Sequence, residues 1–120
     1  LGNVWKGTNN LDEALQYYEM ALAAAPENRE ILFNLANTYE KLDRFDESSA
    51  LYRRALDIHP EFAEALNGLG VTQARSGKLY EAIESFQTAL QIKPGYREAI
   101  KNIKAVKRKV QKGRSPRATD

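Results

Sequence analysis

Few residues in this chain could do covalent chemistry. One His and no Cys exclude a disulfide, a thiolate nucleophile and a metal cluster built on His or Cys. His59 stands before Pro60 at a helix end, where a cation is favoured, and reads as a surface residue. The acid pairs Asp12-Glu13 and Asp46-Glu47 have the groups for general acid–base work. Each pair opens a helical pattern, however, where carboxylates complement the helix dipole. Gly68 and Gly70 lie inside a helical pattern and form no phosphate-cradling loop, and close packing accounts for Gly70. No catalytic constellation emerges, so the chain reads as non-enzymatic, with no cofactor implied. What remains is binding chemistry. Asn34, Asn37 and Lys41 are spaced i, i+3, i+7 on one helix face, distinct from the face of Leu32, Leu35 and Tyr39. An Asn amide both donates and accepts, so it can hold the backbone of an extended peptide without demanding a sequence.

A repeat positions these residues. Pro26, Pro60 and Pro94 are separated by 34 residues each time. Five residues before each stands Ala21, Ala55 or Ala89, followed by Leu22, Leu56 or Leu90. Eight before each is an aromatic (Tyr18, Tyr52, Phe86) and twelve before a small residue (Ala14, Ser48, Ala82). Further back come Leu1-Gly2, Leu35-Ala36 and Leu69-Gly70. Columns in register at a fixed period mark a stacked-repeat architecture. The small columns let helix axes approach, the rings fill the space between helices, and each proline stops a helix.

The columns Leu1-Gly2-x2-Trp5, Leu35-Ala36-x2-Tyr39 and Leu69-Gly70-x2-Gln73, then Ala14-x3-Tyr18, Ser48-x3-Tyr52 and Ala82-x3-Phe86, resemble the tetratricopeptide repeat family. The resemblance covers about residues 1–112. Departures are Gln73 for an aromatic, Ser48 for Ala, and a first copy without its opening residues. It implies an all-α fold: a right-handed α-solenoid of antiparallel helix pairs closed by a capping helix. Period and stop signals predict helices at about 1–7, 10–25, 29–42 (N-capped by Asn28), 44–58, 62–76, 79–93 and 96–112. The repeats then run at about 1–28 (partial), 29–62 and 63–96. A cap at 96–112 has one apolar stripe (Ile100, Ile103, Val106, Val110), and 113–120 is expected to be a disordered basic tail.

In that family the first helix of each pair lines a concave groove that takes peptides or partner helices. The resemblance thus implies a protein-interaction scaffold. Its groove would be built from Asn3, Lys6, Glu30, Phe33, Asn34, Asn37, Lys41, Glu64, Asn67, Val71, Arg75 and Asn102. Asn3, Asn34, Asn37, Asn67 and Asn102 would form a ladder, and Phe33 an anchor, unless its ring packs within the helix pair. Co-chaperone-type members grip a C-terminal carboxylate with Lys and Arg of a third repeat. Glu64 and Gly68 occupy those places here, which argues against carboxylate-clamp chaperone tails as partners.

The 120 residues suit one domain, and 42% hydrophobic with 28% charged residues is a globular profile. Residues 1–96 carry nine Lys+Arg against fourteen Asp+Glu, a net −5, while residues 97–120 carry nine against two, a net +7. The basic segment 97–117 suits a solvated cap or an acidic partner. Contact with nucleic acid or an anionic membrane surface is the alternative for the same segment, disfavoured because aromatic interleaving is missing beyond Tyr96 and the apolar stripe is needed for capping. A start at Leu1 without a basic-then-apolar leader reads as a piece of a longer chain, so the fragment could also be the recruiting arm of a larger enzyme. A cytoplasmic setting is expected. Leu1, Val4 and Trp5 would leave an apolar edge through which copies associate.

Overall fold

The structure, a computed structural model, describes the backbone of residues 2–118 and the side chains of residues 10–112. Six helices follow in order: α1 (Gly2–Ala24), α2 (Arg29–Lys41), α3 (Phe45–Ile58), α4 (Ala63–Arg75), α5 (Leu79–Ile92) and α6 (Arg97–Ala118). There is no strand among the described residues. The chain divides into two units, Leu1–Pro60 and Glu61–Asp120.

In the first unit α2 and α3 pair across a short turn. Asn28 caps α2, its Oδ1 accepting from the Glu30 and Ile31 backbone N–H groups at 2.9 and 3.1 Å, as the sequence predicts. Asp43 turns the chain with a φ of +61°. Glu30 sits in the first turn of α2 and Lys41 in its last, and Asp46 and Glu47 sit in the first turn of α3. Each sign complements the local helix dipole. Leu32, Leu35 and Ala36 of α2 close on Ser48, Tyr52 and Ala55 of α3. The departure at Ser48 has a cause: its buried hydroxyl donates to the Ala36 carbonyl at 2.9 Å, tying the two helices together.

The second unit repeats this plan. Gly77, with φ +92°, turns α4 into α5 at the place Asp43 holds 34 residues earlier. Glycine adopts this conformation without a Cβ penalty. Gly70 lies under the Phe86 ring so closely that a Cβ there would sit 2.6 Å from Cε1. The small column is therefore a steric requirement at this position. Gln73, which replaces the aromatic, is buried and accepts a 2.7 Å hydrogen bond from the Ser85 hydroxyl. Its polarity is satisfied across the pair. α6 packs its Ala99, Ile103 and Val106 face inward and lies against α5 and α4.

Two expectations are corrected. The break near Gly7 is absent, and α1 runs unbroken from Gly2 to Ala24. Seven residues make fewer than two helical turns, too few to bury a face and offset two new helix ends, so the hydrogen-bond ladder continues instead. Asp12 and Glu13 consequently lie mid-helix and complement no dipole. The consequence shows in burial. Ser48, Tyr52, Ala55, Ala82, Phe86 and Ala89 are at most 1% exposed. The matching Ala14, Tyr18 and Ala21 of α1, which packs against α2, are only half-buried. Second, the backbone expected as a disordered tail after Lys112 is helical as far as Ala118. The extension adds turns to a helix already formed and needs no new nucleus, although it passes Gly113 and Pro116, both poor helix formers. The side chains of Leu1, Asn3, Val4, Trp5 and Lys6, and so the apolar edge proposed there, lie outside the described residues.

Candidate functional site

In the first unit, Glu30, Phe33, Asn34, Asn37 and Lys41 share the face of α2 that turns away from Leu32, Leu35 and Tyr39. All five are half-buried or exposed. Asn37 is held in place, since its Oδ1 accepts a short hydrogen bond from the Tyr52 hydroxyl. Phe33 stands edge-on against the Tyr52 ring, centroids 6.0 Å apart, so its ring packs within the helix pair. Asn34 gives its backbone carbonyl to the Thr38 hydroxyl at 2.9 Å.

In the second unit, Glu64, Asn67, Val71 and Arg75 share one face of α4, and Asn102 comes to meet it from α6. The Asn102 amide donates to Asn67 Oδ1 at 3.0 Å. Beside this pair, Lys93 Nζ lies 3.2 Å from the Glu64 carboxylate and 4.6 Å from the centre of the Tyr96 ring. Burial first, then the charges of Glu64 and Glu98, raise the Tyr96 phenol above its usual range, opposed by a hydrogen bond with Asn67. Toward the C-terminal end of α4, the two helices border an open cavity of about 160 Å³. Val71, Arg75 and Asn102, which the sequence singled out, all line it. Ala74, Ala105 and Val106 complete its apolar walls, Phe86 reaches it from α5, and Lys109 stands at it from α6.

The 34-residue register explains how the two walls differ. Tyr52 and Phe86 are equivalent, as are Asn37 and Val71. Where the ring carries a hydroxyl, an Asn accepts from it. Where the hydroxyl is missing, an aliphatic residue stands instead and the site turns apolar. Lys41, Arg75 and Lys109 also fall in one column, and Lys109 was expected only as part of the basic segment 97–117, not as a groove residue.

A cleft in the first unit was not foreseen. It measures about 510 Å³ and is lined by Leu22 and Pro26 with Leu35 and Tyr39, closed by Leu51 and Arg54 of α3. The Tyr39 hydroxyl donates to the Glu19 carboxylate at 2.7 Å, and the Arg44 guanidinium lies 5.0 Å from the Tyr39 ring centre. Burial, then the bond to Glu19, pushes the Tyr39 phenol up to about 12. Arg44 also bonds Glu47 at 2.8 Å and holds that carboxyl below its ordinary value. Leu22 and Tyr39 belong to core columns of the repeat, which is why the pattern gave no sign of a cleft.

Among the described residues no group of three or more His, Cys, Asp or Glu could hold a metal ion, and no helix is long and apolar enough to cross a membrane.

A tetratricopeptide repeat family model matches residues 2–60 and again 33–97. The chain belongs to the tetratricopeptide repeat family. Solved structures agree on the fold. The first TPR of Spaghetti (RPAP3) bound to the HSP90 peptide SRMEEVD is 23% identical, with a TM-score of 0.81 over 91% of this chain and 86% of that one. The second TPR domain of human RPAP3, in complex with the HSP70 peptide SGPTIEEVD, is 25% identical, with a TM-score of 0.78 over 88% of each chain. The Sgt2 TPR domain from Aspergillus fumigatus is 20% identical, with a TM-score of 0.84 over 99% of this chain and 79% of that one. No curated protein matches the chain. The fold is thus an all-α solenoid of helix pairs, and domains of this family are generally interaction modules rather than enzymes.

Proposed function

We propose that the chain is a non-enzymatic protein-interaction scaffold whose units each offer an outward face to an extended peptide or a partner protein, α2 in the first unit and α4 with α6 in the second. The supporting observation is that Asn37, Asn67 and Asn102 on these faces are held by side-chain hydrogen bonds rather than loosely solvated. Asn37 is pinned by Tyr52, and Asn67 by Asn102. An amide whose oxygen is already committed presents N–H donors at no further ordering cost, which suits the carbonyls of an extended backbone. RPAP3 domains of this fold bind HSP90 and HSP70 peptides, in keeping with a peptide as ligand.

The chain is not proposed to grip a terminal carboxylate. Glu64 and Gly68 stand where that grip needs cations, and Lys93 only partly offsets the Glu64 charge. The peptide SRMEEVD and the same peptide ending in an amide are therefore expected to bind with equal affinity. Tighter binding of the free acid would restore the clamp. The scaffold reading itself is tested by replacing Asn37 and Asn67 together with Ala. Partners captured by the parent protein should then bind more weakly at unchanged helicity, and unaltered capture would place them elsewhere.

A further inference from the structure

We infer that the cavity between α4 and α6 is an anchor site for an aliphatic side chain flanked by an acidic residue, within a peptide segment that needs no free C-terminus. This inference deepens the scaffold reading and rests on it.

Size comes first. Drug-sized ligands occupy roughly 300–1,000 Å³, so a space of about 160 Å³ is too small for one. An apolar cavity of about 150 Å³ accepts a benzene-sized group, which is the scale of a single branched side chain. The lining agrees: Val71, Ala74, Ala105 and Val106 offer no polar side-chain atom, and the Phe86 ring reaches in because Gly70 has no Cβ to hold it away.

Charge complementarity selects the occupant. Arg75 and Lys109 line the same cavity from its two helices. The helix dipole accounts for Arg75, which ends α4, but not for Lys109, which lies in the interior of α6. Lys101, Lys104, Lys107, Arg108, Lys109 and Lys112 follow one another along α6 with no carboxylate between them. An acid next to the anchored side chain would meet this field, and at the other end the Asn67–Asn102 pair would face the peptide backbone. A nucleic acid would meet the same cations but has no aliphatic group for the cavity, so the observations favour a peptide.

The test uses the whole chain and an acetylated, amidated hexapeptide, Asp-Leu-Asp-Asp-Leu-Asp, carrying a fluorophore. Ala105 and Lys109 are both exposed, so Ala105→Phe, which fills the cavity, and Lys109→Glu, which reverses its rim, should leave the melting temperature unchanged. Each is expected to raise the peptide Kd about tenfold. Exchanging both Leu for Asn in the peptide should do the same to the parent protein. Equal affinity of parent and Ala105→Phe overturns the inference, as does tighter binding of an oligothymidylate of equal charge. If Ala105→Phe is silent while the Asn37/Asn67 double variant loses binding, the scaffold stands and the anchor site fails. If both variants are silent toward every peptide and captured partner, the scaffold reading fails as well.

Discussion

Replacing Gly70 with Ala tests the steric template directly. The new Cβ would lie 2.6, 2.8 and 2.8 Å from Cε1, Cδ1 and Cζ of Phe86, whereas ordinary contact begins at 3.4 Å. The ring must therefore retreat by about 0.6–0.8 Å. Phe86 is fully buried, so the strain passes to its neighbours. Overpacking of this kind costs about 1–3 kcal/mol, and helix propensity returns about 1 kcal/mol when Gly becomes Ala. The net is a loss of roughly 1 kcal/mol, enough to lower Tm by about 4 °C. Thermal unfolding followed by circular dichroism reads this, with Gly95→Ala as control, since a Cβ at Gly95 meets nothing within 4 Å. In a Phe86→Leu background the clash disappears, and Gly70→Ala should become neutral or stabilising. If Gly70→Ala raised Tm equally in both backgrounds, propensity alone would be acting and the close-packing account would be wrong.

Further outcomes follow from single contacts. Asn28→Ala removes the acceptor for two α2 backbone N–H groups and should cost about 1 kcal/mol in urea unfolding. Ser85→Ala deprives the buried Gln73 carbonyl of its donor and should cost about 1–3 kcal/mol, whereas Thr88→Ala, at an exposed position on the same helix, should cost less than about 0.5 kcal/mol. Tyr39 has its phenol raised to about 12 in the folded chain against 10.0 when unperturbed. Its stabilising contribution is therefore complete below pH 10 and is lost as pH climbs toward 12, because the unfolded chain gives up the proton first. Alkaline unfolding of the parent should steepen across that window, and Tyr39→Phe should flatten it.

Most of the fold was legible because a steric rule repeats. Ala55, Ala89, Tyr52 and Phe86 fall where the proline-anchored count puts them, and each lies at the centre of its pair. Asn28 was legible as a cap because its chemistry is local. The merged α1 was not, because the first copy has the column residues but too short an arm for hairpin closure to compete with helix continuation. The departures Ser48 and Gln73 make sense only once Ala36 and Ser85 are seen as their partners across the pair. At the site, period grouped Asn34, Asn37 and Lys41 on one face of α2, while Asn67, Val71, Arg75 and Asn102 were implied by the family resemblance. The hydroxyl of Tyr52 and its absence in Phe86, which decide whether each face is polar or apolar, act between helices and so leave no trace in the spacing within one helix.

The most direct measurement is an amide chemical-shift map of the labelled chain titrated with the Asp/Leu hexapeptide. The account predicts perturbations concentrated at Val71–Arg75 and Asn102–Lys109. Perturbations confined to the cleft of Leu22, Tyr39 and Leu51, or to residues 113–118, would contradict it.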